Sequence, residues 1–189
     1  MSSVASLPLL LGTTGTDHHP FDRLVGWLDD WSARQPAGRV RCLIQSGTAK
    51  PARHAESVPL LPYDELTRLL ASAAVVVCHG GPGTIMDCRA AGLRPICVPR
   101  VSALGEHVDD HQLLFTRRAA QAGLIELAED EQTLHRHLDE ALLPPARFQV
   151  DGGGAGSNAE TLARIGRLTS ELAGLGPRRR LLPLRWADR

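Results

Sequence analysis

The chain has 189 residues, 43% of them hydrophobic, and its 21 basic and 21 acidic side chains balance at neutral pH. This length and hydrophobic content suit one domain with a buried core, and we expect that domain to span residues 1–173. The neutral overall charge argues against a protein that binds nucleic acid, because such proteins usually carry an excess of basic residues.

No segment of the sequence has the pattern of a signal peptide or a membrane span. The first apolar stretch, Leu7–Leu11, is too short for either, and no other segment approaches the ~18 apolar residues that a spanning helix needs. The four cysteines form no Cys-x-x-Cys pair, which favours reduced, buried thiols. We therefore expect a cytoplasmic protein that reaches the inner face of the membrane through a partner.

The first half of the chain alternates between apolar runs and amphipathic stretches. Leu7–Leu11 predicts a strand, which a turn rich in glycine and threonine follows. Pro20–Ser32 carries apolar side chains at helical spacing, and Val40–Ile44 predicts a second strand. Beyond a polar loop, Val58–Leu61 is a candidate third strand and Tyr63–Ser72 predicts a second helix with leucines on one face.

The second half continues the alternation. Ala74–Cys78 is a continuous apolar run, as expected for a strand that is buried on both faces. The elements predicted after it are helix Thr84–Ala91, strand Pro95–Val98, helix Val108–Ala122, strand Leu124–Leu127, helix Glu131–Leu142 and a last helix from Asn158 to about Ala173. Strand–helix alternation with short loops predicts an α/β fold, a Rossmann-like parallel sheet with helices on both faces.

Residues 174–189 form a tail that is both basic and apolar. Arg178–Arg180 precede two leucines and Trp186. Two interpretations of this composition stay open: the tail is disordered, or it docks onto a partner or an anionic surface.

The turn after the predicted strand Ala74–Cys78 carries the first chemical motif. In an open α/β sheet, ligands bind at the carboxyl ends of the strands. Gly81, Gly83 and Thr84 would let a diphosphate approach the N–H groups of the helix that begins there. Asp87 lies one turn into that helix, within reach of ribose hydroxyls. A glycine-rich strand–helix turn can equally be nothing more than a tight turn.

The second motif is Gly105–Gln112, which follows the next strand at the same edge of the sheet. Six of its eight residues carry polar groups that can hydrogen-bond a sugar. The alternative is an acidic, solvated helix start, since acidic residues are favoured there. Two such loops on neighbouring strands, one suited to phosphate and the other to hydroxyls, favour a nucleotide-sugar as the ligand.

Residues 75–123 resemble the donor-binding half of the GT-B glycosyltransferases, specifically glycosyltransferase family 28. The family pattern His-x-Gly-x-Gly/Asn-Ser/Thr-x-x-Glu is similar to His79–Asp87, and its continuation is similar to Pro99, Glu106-His107 and Asp110-His111-Gln112. Gly15–Leu24 resembles the start of a bacterial exopolysaccharide subgroup. That subgroup is similar to the small subunit of the two-part enzyme that adds the second GlcNAc to a dolichol-linked lipid. The resemblance covers about residues 7–170.

The resemblance implies that the donor is a UDP-sugar and that the protein needs neither a cofactor nor a metal ion. It implies that His79 and the backbone of Gly81–Thr84 hold the diphosphate, that Asp87 holds the ribose, and that Glu106 and His107 hold the hexose. Asp87 stands where the family usually has Glu, and His107 where plant enzymes have Gln. The expected substrate-binding residues are Thr16, His79, Gly80, Gly81, Gly83, Thr84, Asp87, Glu106, His107, Asp110 and Gln112.

No metal-binding motif of the Asp-x-Asp kind is present in the sequence. His135 and His137 lie on a polar helix, where we expect a solvated pair rather than metal ligands.

The resemblance also implies a second, acceptor-binding domain on another chain, and a general base. GT-B enzymes have two Rossmann-like domains, whereas this sequence is long enough for one, so we expect a membrane-associated subunit to bring a lipid-linked acceptor. Inverting displacement needs a base that takes the proton of the acceptor hydroxyl. His18 and His19, in the loop after the first strand, are the candidates, because imidazole exchanges protons near neutrality. The alternative is that these histidines position the phosphates or the partner.

Two other functions fit parts of the sequence. One is a module that binds a UDP-sugar or a partner without catalysing a reaction. The other is a nucleotide-sugar 2-epimerase, which shares the GT-B architecture but has both domains in one chain, so the length of this sequence argues against it.

Overall fold

The computed structural model describes residues 7–143, 148–150 and 155–174. Six parallel strands form one sheet. They are β1 (Leu9–Thr13), β2 (Arg41–Gln45), β3 (Glu56–Val58), β4 (Ala73–Cys78), β5 (Ile96–Cys97) and β6 (Glu126–Leu127). The helices are α1 (Asp22–Ala33), α2 (Tyr63–Ser72), α3 (Pro82–Ala90), α4 (His111–Gln121), α5 (Glu131–Ala141) and α6 (Ala155–Gly174).

The strand order is β3-β2-β1-β4-β5-β6, so the winding direction of the chain reverses between β1 and β4. Residues of these two central strands are paired along their length, ending with Thr13 opposite Cys78. In doubly wound sheets, the loops that leave the carboxyl ends of the strands at this reversal diverge to opposite faces and leave a crevice. The strand order alone therefore predicts that a ligand binds at the carboxyl ends of β1 and β4.

The core lies on both faces of the sheet, because alternate residues of a strand point to opposite sides. Leu10, Val75 and Val77 pack with buried residues of α1 and α5, whereas Leu11 and Val76 pack with residues of α2 and α3. A third apolar cluster joins the ends of β4 and β5 to α3, α4 and α6.

Gly12 of β1 allows α1 to pack closely against the sheet. A Cβ atom at this position would lie 2.6 Å from Leu28 Cδ1 of α1. This close packing therefore fixes α1 against β1, and so fixes both ends of the loop that joins them.

The structure confirms the predicted α/β class and the Rossmann-like parallel sheet with helices on both faces. Some boundaries were wrong. The helix predicted from Val108 begins at His111, because Ser102–Leu104 form a short 3-10 helix and the polar residues after it form a loop. The last helix begins at Ala155 rather than at Asn158. The third strand is Glu56–Val58, earlier than predicted.

The four cysteines are buried and unpaired, as predicted. The prediction of a solvated histidine pair on α5 was wrong, because only 5% of His137 is exposed and the ring packs edge-on to Phe148. Among the described helices, none is both long and apolar enough to cross a membrane. The glycine-rich sequence Asp151–Ser157 predicts a flexible linker, but its last three residues belong to α6. Residues 151–154 and the tail from residue 175 onward lie outside the described residues.

Candidate functional site

The crevice between β1 and β4 is lined by the two loops that leave these strands. His79 follows β4, and its ring lies between two glycines. A Cβ atom would come within 2.6 Å of His79 Cε1 if added to Gly15, and within 2.4 Å of His79 Nε2 if added to Gly81. Gly15 also has a φ of +81°, which side chains disfavour. Only glycines at these two positions leave room for the imidazole.

The His79 ring is uncharged at neutral pH. Burial is the main cause that lowers its pKa to about 4, and the nearby positive charge of Arg100 acts in the same direction. His79 can therefore contact a ligand as a neutral imidazole, but it brings no positive charge. The Nδ1 atom is buried and has no hydrogen-bond partner among the described residues.

The turn from Gly80 to Gly83 opens α3 directly beside this ring. Gly81 is the N-cap residue and Pro82 occupies the first turn, and no side chain among the described residues caps this helix end. The first N–H groups of α3 are thus free to bind an anion. Nothing lies within 4 Å of a Cβ atom added to Gly83, so this position faces open space. Gly80 has another role, since a Cβ atom there would lie 2.3 Å from Thr116 of α4.

Asp87 lies farther along α3 and faces α2. Its Oδ1 accepts a hydrogen bond of 3.3 Å from the hydroxyl of Tyr63, the first residue of α2. The two side chains line a cavity of about 280 Å³ between these helices. Tyr63 is not among the predicted site residues, although 67% of its surface is exposed beside Asp87, the residue predicted to bind the ribose.

An ion pair ties the loop after β5 to α1. The guanidinium of Arg23 donates to both carboxylate oxygens of Glu106, at 2.8 and 2.7 Å, and the N–H of Val101 donates to one of them at 2.9 Å. Glu106 is only 5% exposed. Both of its oxygens are thus engaged within the protein, and a sugar hydroxyl would have to replace one of these bonds.

Arg100 holds the loops after β1 and β5 together. It is 1% exposed, and its donors reach three backbone carbonyls, those of Thr14 (2.7 Å), His19 (2.7 Å) and Glu106 (2.9 Å). Its guanidinium also stacks 4.7 Å from the ring centre of Phe21. Sequence reasoning missed this residue; the one signal was a single charge placed directly after the apolar run Ile96–Pro99.

A cluster of histidines and aspartates lies where the loops after β1 and β5 meet. His19 Nδ1 lies 2.6 Å from Asp17 Oδ1, and His18 Nδ1 lies 3.7 Å from the same oxygen. His107 Nε2, from the other loop, lies 3.7 Å from Asp17 Oδ2. A hydrogen bond from the backbone N–H of His19 is the main cause that lowers the pKa of Asp17 to about 2. The structure thus brings His18, His19 and His107 together around one carboxylate.

The remaining predicted residues occupy the rim of the site. Thr16 is exposed in the loop after β1. Asp110 Oδ1 accepts hydrogen bonds from the backbone N–H (3.1 Å) and hydroxyl (2.7 Å) of Ser102, and so ties the 3-10 helix to the start of α4. Gln112 is half-buried, and its Oε1 has no hydrogen-bond partner in the part of the chain that the structure describes.

Comparison with known proteins shows which family the sequence matches. The glycosyltransferase family 28 C-terminal domain matches residues 34–163, well over half of the chain. The chain belongs to this family. The loops after β4 and β5, which contain most of the predicted site, lie within the matched part of the family 28 domain.

One curated relative and two solved structures extend the comparison. A protein of Desulforudis audaxviator (strain MP104C) is named UDP-N-acetylglucosamine--N-acetylmuramyl-(pentapeptide) pyrophosphoryl-undecaprenol N-acetylglucosamine transferase. This chain is 32% identical to that protein over 78 residues, which are 41% of this chain and 21% of the relative. The glycotransferase of kitacinnamycin is 16% identical with a TM-score of 0.58, over 93% of this chain and 44% of that one.

The UDP-GlcNAc 2-epimerase from Neisseria meningitidis, bound to UDP-GlcNAc, is 10% identical with a TM-score of 0.56, over 86% of this chain and 44% of that one. At such identities the likeness concerns the fold alone. The chain spans less than half the length of these two solved structures and about a fifth of the curated relative. Its fold is one half of the GT-B architecture.

Proposed function

We propose that this chain is the donor-binding and catalytic subunit of an inverting glycosyltransferase that transfers a hexose from a UDP-sugar to a lipid-linked acceptor. Exopolysaccharide or other cell-surface glycan synthesis is the process that it would serve. The observation that carries the proposal is the uncapped N-terminus of α3, which opens beside His79 at the reversal point of a family 28 sheet.

The diphosphate of the donor binds at the start of α3 in this proposal. Backbone N–H groups and the positive end of a helix stabilise phosphate without a lysine or arginine side chain. The uncharged imidazole of His79 contacts the diphosphate from the end of β4. These groups stabilise the charge that develops on the departing UDP.

The nucleoside and hexose bind on either side of the diphosphate. Asp87 accepts hydrogen bonds from the ribose hydroxyls, which replace the 3.3 Å hydrogen bond that it accepts from Tyr63. His107 and Gln112 contact the hexose, with Thr16 and Asp110 at the rim. Because Glu106 is saturated by Arg23 and Val101, its contribution to hexose binding is to hold the loop that carries His107.

His19 is the stronger of the two candidate bases. Asp17 Oδ1 lies 2.6 Å from its Nδ1, which fixes the ring and, with a proton on Nδ1, leaves the Nε2 lone pair to accept the acceptor's proton. His18 lies 3.7 Å from the same oxygen, and 83% of its side chain is exposed, so its orientation is less fixed.

The acceptor half of the enzyme belongs to a separate membrane-associated subunit in this proposal, and the chain works at the cytoplasmic face of the membrane through it. The undecaprenol in the name of the Desulforudis audaxviator relative supports a lipid-linked acceptor.

Calorimetric titration of the purified chain with UDP and a panel of UDP-sugars tests the donor site. We expect saturable binding, weakened at least tenfold in Asp87→Ala and unchanged in Asp64→Ala. Asp64 is a matched control because it lies on exposed α2 in a surface ion pair with Arg68. If neither UDP nor any UDP-sugar binds, the donor site is not where we place it.

Turnover in the reconstituted pair separates the enzyme from a module that only binds. His19→Ala is expected to lower turnover by at least a hundredfold while UDP affinity changes by less than threefold, and His18→Ala by less than tenfold. A double variant that combines His18→Ala with His19→Ala decides between the two functions. Full turnover in that variant would mean that the base comes from the partner and that this chain only binds the donor.

A further inference from the structure

We propose that Asp17, His18 and His19 form a binding site for one divalent transition-metal ion. Each residue offers one ligand atom, a carboxylate oxygen or an imidazole nitrogen, and these three atoms lie within 4.8 Å of one another. Two imidazoles and a carboxylate form a ligand set typical of Zn²⁺ sites that keep an open coordination position.

The distances need little adjustment to accept an ion. Ligand atoms around a tetrahedral Zn²⁺, with bonds of about 2.0 Å, lie about 3.3 Å apart. The distances from Asp17 Oδ1 to Nδ1 of His19 and of His18 are 2.6 and 3.7 Å and lie on either side of that value. Because His18 is largely exposed, its ring is free to rotate toward the ion.

The surroundings of Asp17 favour a metal ligand over a surface carboxylate. His107 Nδ1 lies 3.4 Å from the backbone nitrogen of Asp109 and 3.4 Å from Asp109 Oδ1, so the loop after β5 holds this ring in place. Its Nε2 atom lies 3.7 Å from Asp17 Oδ2, the oxygen that the ion does not need. Partners of this kind orient ligating carboxylates in metal sites.

Metal binding and the base role proposed for His19 exclude each other, and this step alone depends on the proposed function. Without metal, Nδ1 of His19 carries the proton that faces Asp17. The ion requires the Nδ1 lone pair, so that proton moves to Nε2 through solvent, and Nε2 loses the lone pair that would accept the acceptor's proton. An occupied site therefore suppresses transfer that depends on His19.

Titration of the tag-free full chain, after treatment with a chelator, tests the site without any donor. Calorimetry with Zn²⁺ is expected to show one ion per chain, and Co²⁺ to give the visible absorption of an ordered site. Asp17→Asn, His18→Ala and His19→Ala should each weaken binding at least tenfold. His54→Ala is the control, because this histidine lies exposed in a loop, outside the cluster.

Two results would overturn the proposal. One is the absence of saturable binding, and the other is binding that survives all three substitutions. If His111→Ala abolishes binding instead, the ion belongs to Asp109, whose Oδ2 lies 2.8 Å from His111 Nδ1. UDP affinity, measured in chelator, reports separately on the donor site, so the two proposals fail independently.

Inhibition of the reconstituted pair by Zn²⁺ tests the coupling. We expect excess Zn²⁺ to lower turnover and a chelator to restore it. The Zn²⁺ concentration for half-inhibition should rise at least tenfold in His18→Ala, which retains Asp17 and His19 but lacks one ligand. Equal sensitivity of that variant and the parent chain would contradict the coupling.

Discussion

The loops after β4 and β5 lie side by side at one edge of the sheet, yet they are built in opposite ways. The turn after β4 is made of glycines and free backbone N–H groups around one uncharged histidine. The loop after β5 is held by three ionic side chains, the buried Arg100 and Glu106 and the half-buried Arg23. One loop leaves its polar groups free for a ligand, whereas the other uses them to hold its own shape.

This difference explains why similar-looking motifs carry different information. In the turn after β4, small residues leave space, so the residues that the motif highlights are those that would contact phosphate. In the loop after β5, acidic residues such as Glu106 and Asp110 already have protein partners. In this loop, the polar residues that the motif highlights support the loop itself.

The largest effect should follow removal of the buried charge in the loop after β5. Arg100→Gln leaves the backbone carbonyls of Thr14, His19 and Glu106 without their donor. Because each buried acceptor without a partner costs about 1–3 kcal/mol, we expect the free energy of unfolding to fall by about 3–5 kcal/mol. Urea denaturation measures this. The control, Arg41→Gln, breaks a half-exposed pair with Glu56 and should cost at most about 1 kcal/mol. Equal costs would mean that Arg100 is not the connection we describe.

The buried His79 in the turn after β4 should make the stability of the protein depend on pH. The pKa of His79 falls from 6.5 in the unfolded chain to about 4 in the folded one. Below pH 6.5 the unfolded chain therefore takes up the proton first, and stability decreases until about pH 4, by up to about 3 kcal/mol. Urea denaturation at several pH values should show this component in the parent chain and not in His79→Asn. Identical pH profiles would contradict it.

Gly81→Ala should damage the donor site more than the fold. The new methyl group would meet the His79 ring at 2.4 Å, and displacement of that ring should lower UDP affinity by about 10- to 100-fold, or about 1.4–2.8 kcal/mol. Gly26→Ala on α1, which has nothing within 4 Å, should bind UDP normally. Calorimetry gives both affinities, and normal UDP binding by Gly81→Ala would show that the ring position is unimportant.

The smallest effect should be the most informative about Glu106. If this residue acts by holding the loop, Glu106→Gln should weaken UDP and UDP-sugar binding by a similar factor, about threefold to tenfold. A direct contact to the hexose would instead weaken only UDP-sugar binding. The ratio of the two affinities, compared with that of the parent chain, decides between the two roles.

The sheet and most helices could be predicted because their signals are local. Apolar runs indicated β1 and β4, and leucines at helical spacing gave both ends of α2 as observed. The start of α4 could not be predicted, because the acidic residues before it resemble a helix N-terminus. Only the tertiary contact between Asp110 and Ser102, with Gly105 at a φ of +73°, shows that they form a loop.

The support of the site was harder to predict than its motifs. His79 and the glycines belong to one continuous segment, so their proximity followed from the sequence. Arg100 reaches Thr14 across 86 positions, and Arg23 reaches Glu106 across 83, and no local pattern indicates either pairing. His137 was placed in solvent because its helix is polar, while Phe148 covers it from beyond the end of that helix.

The central pairing of the sheet also has a consequence for how the chain is made. Leu9 of β1 pairs with Ala73 of β4, 64 positions later, and all five residues of β1 are buried in the finished fold. At about 5–20 residues per second, the ribosome needs roughly 3–13 s to synthesise that interval. During that time, a strand that contains three consecutive leucines has one hydrogen-bonding edge without its partner. The reversal that creates the crevice thus delays completion of the sheet's centre, and nascent chains would be most open to aggregation or chaperone binding before β4 leaves the ribosome.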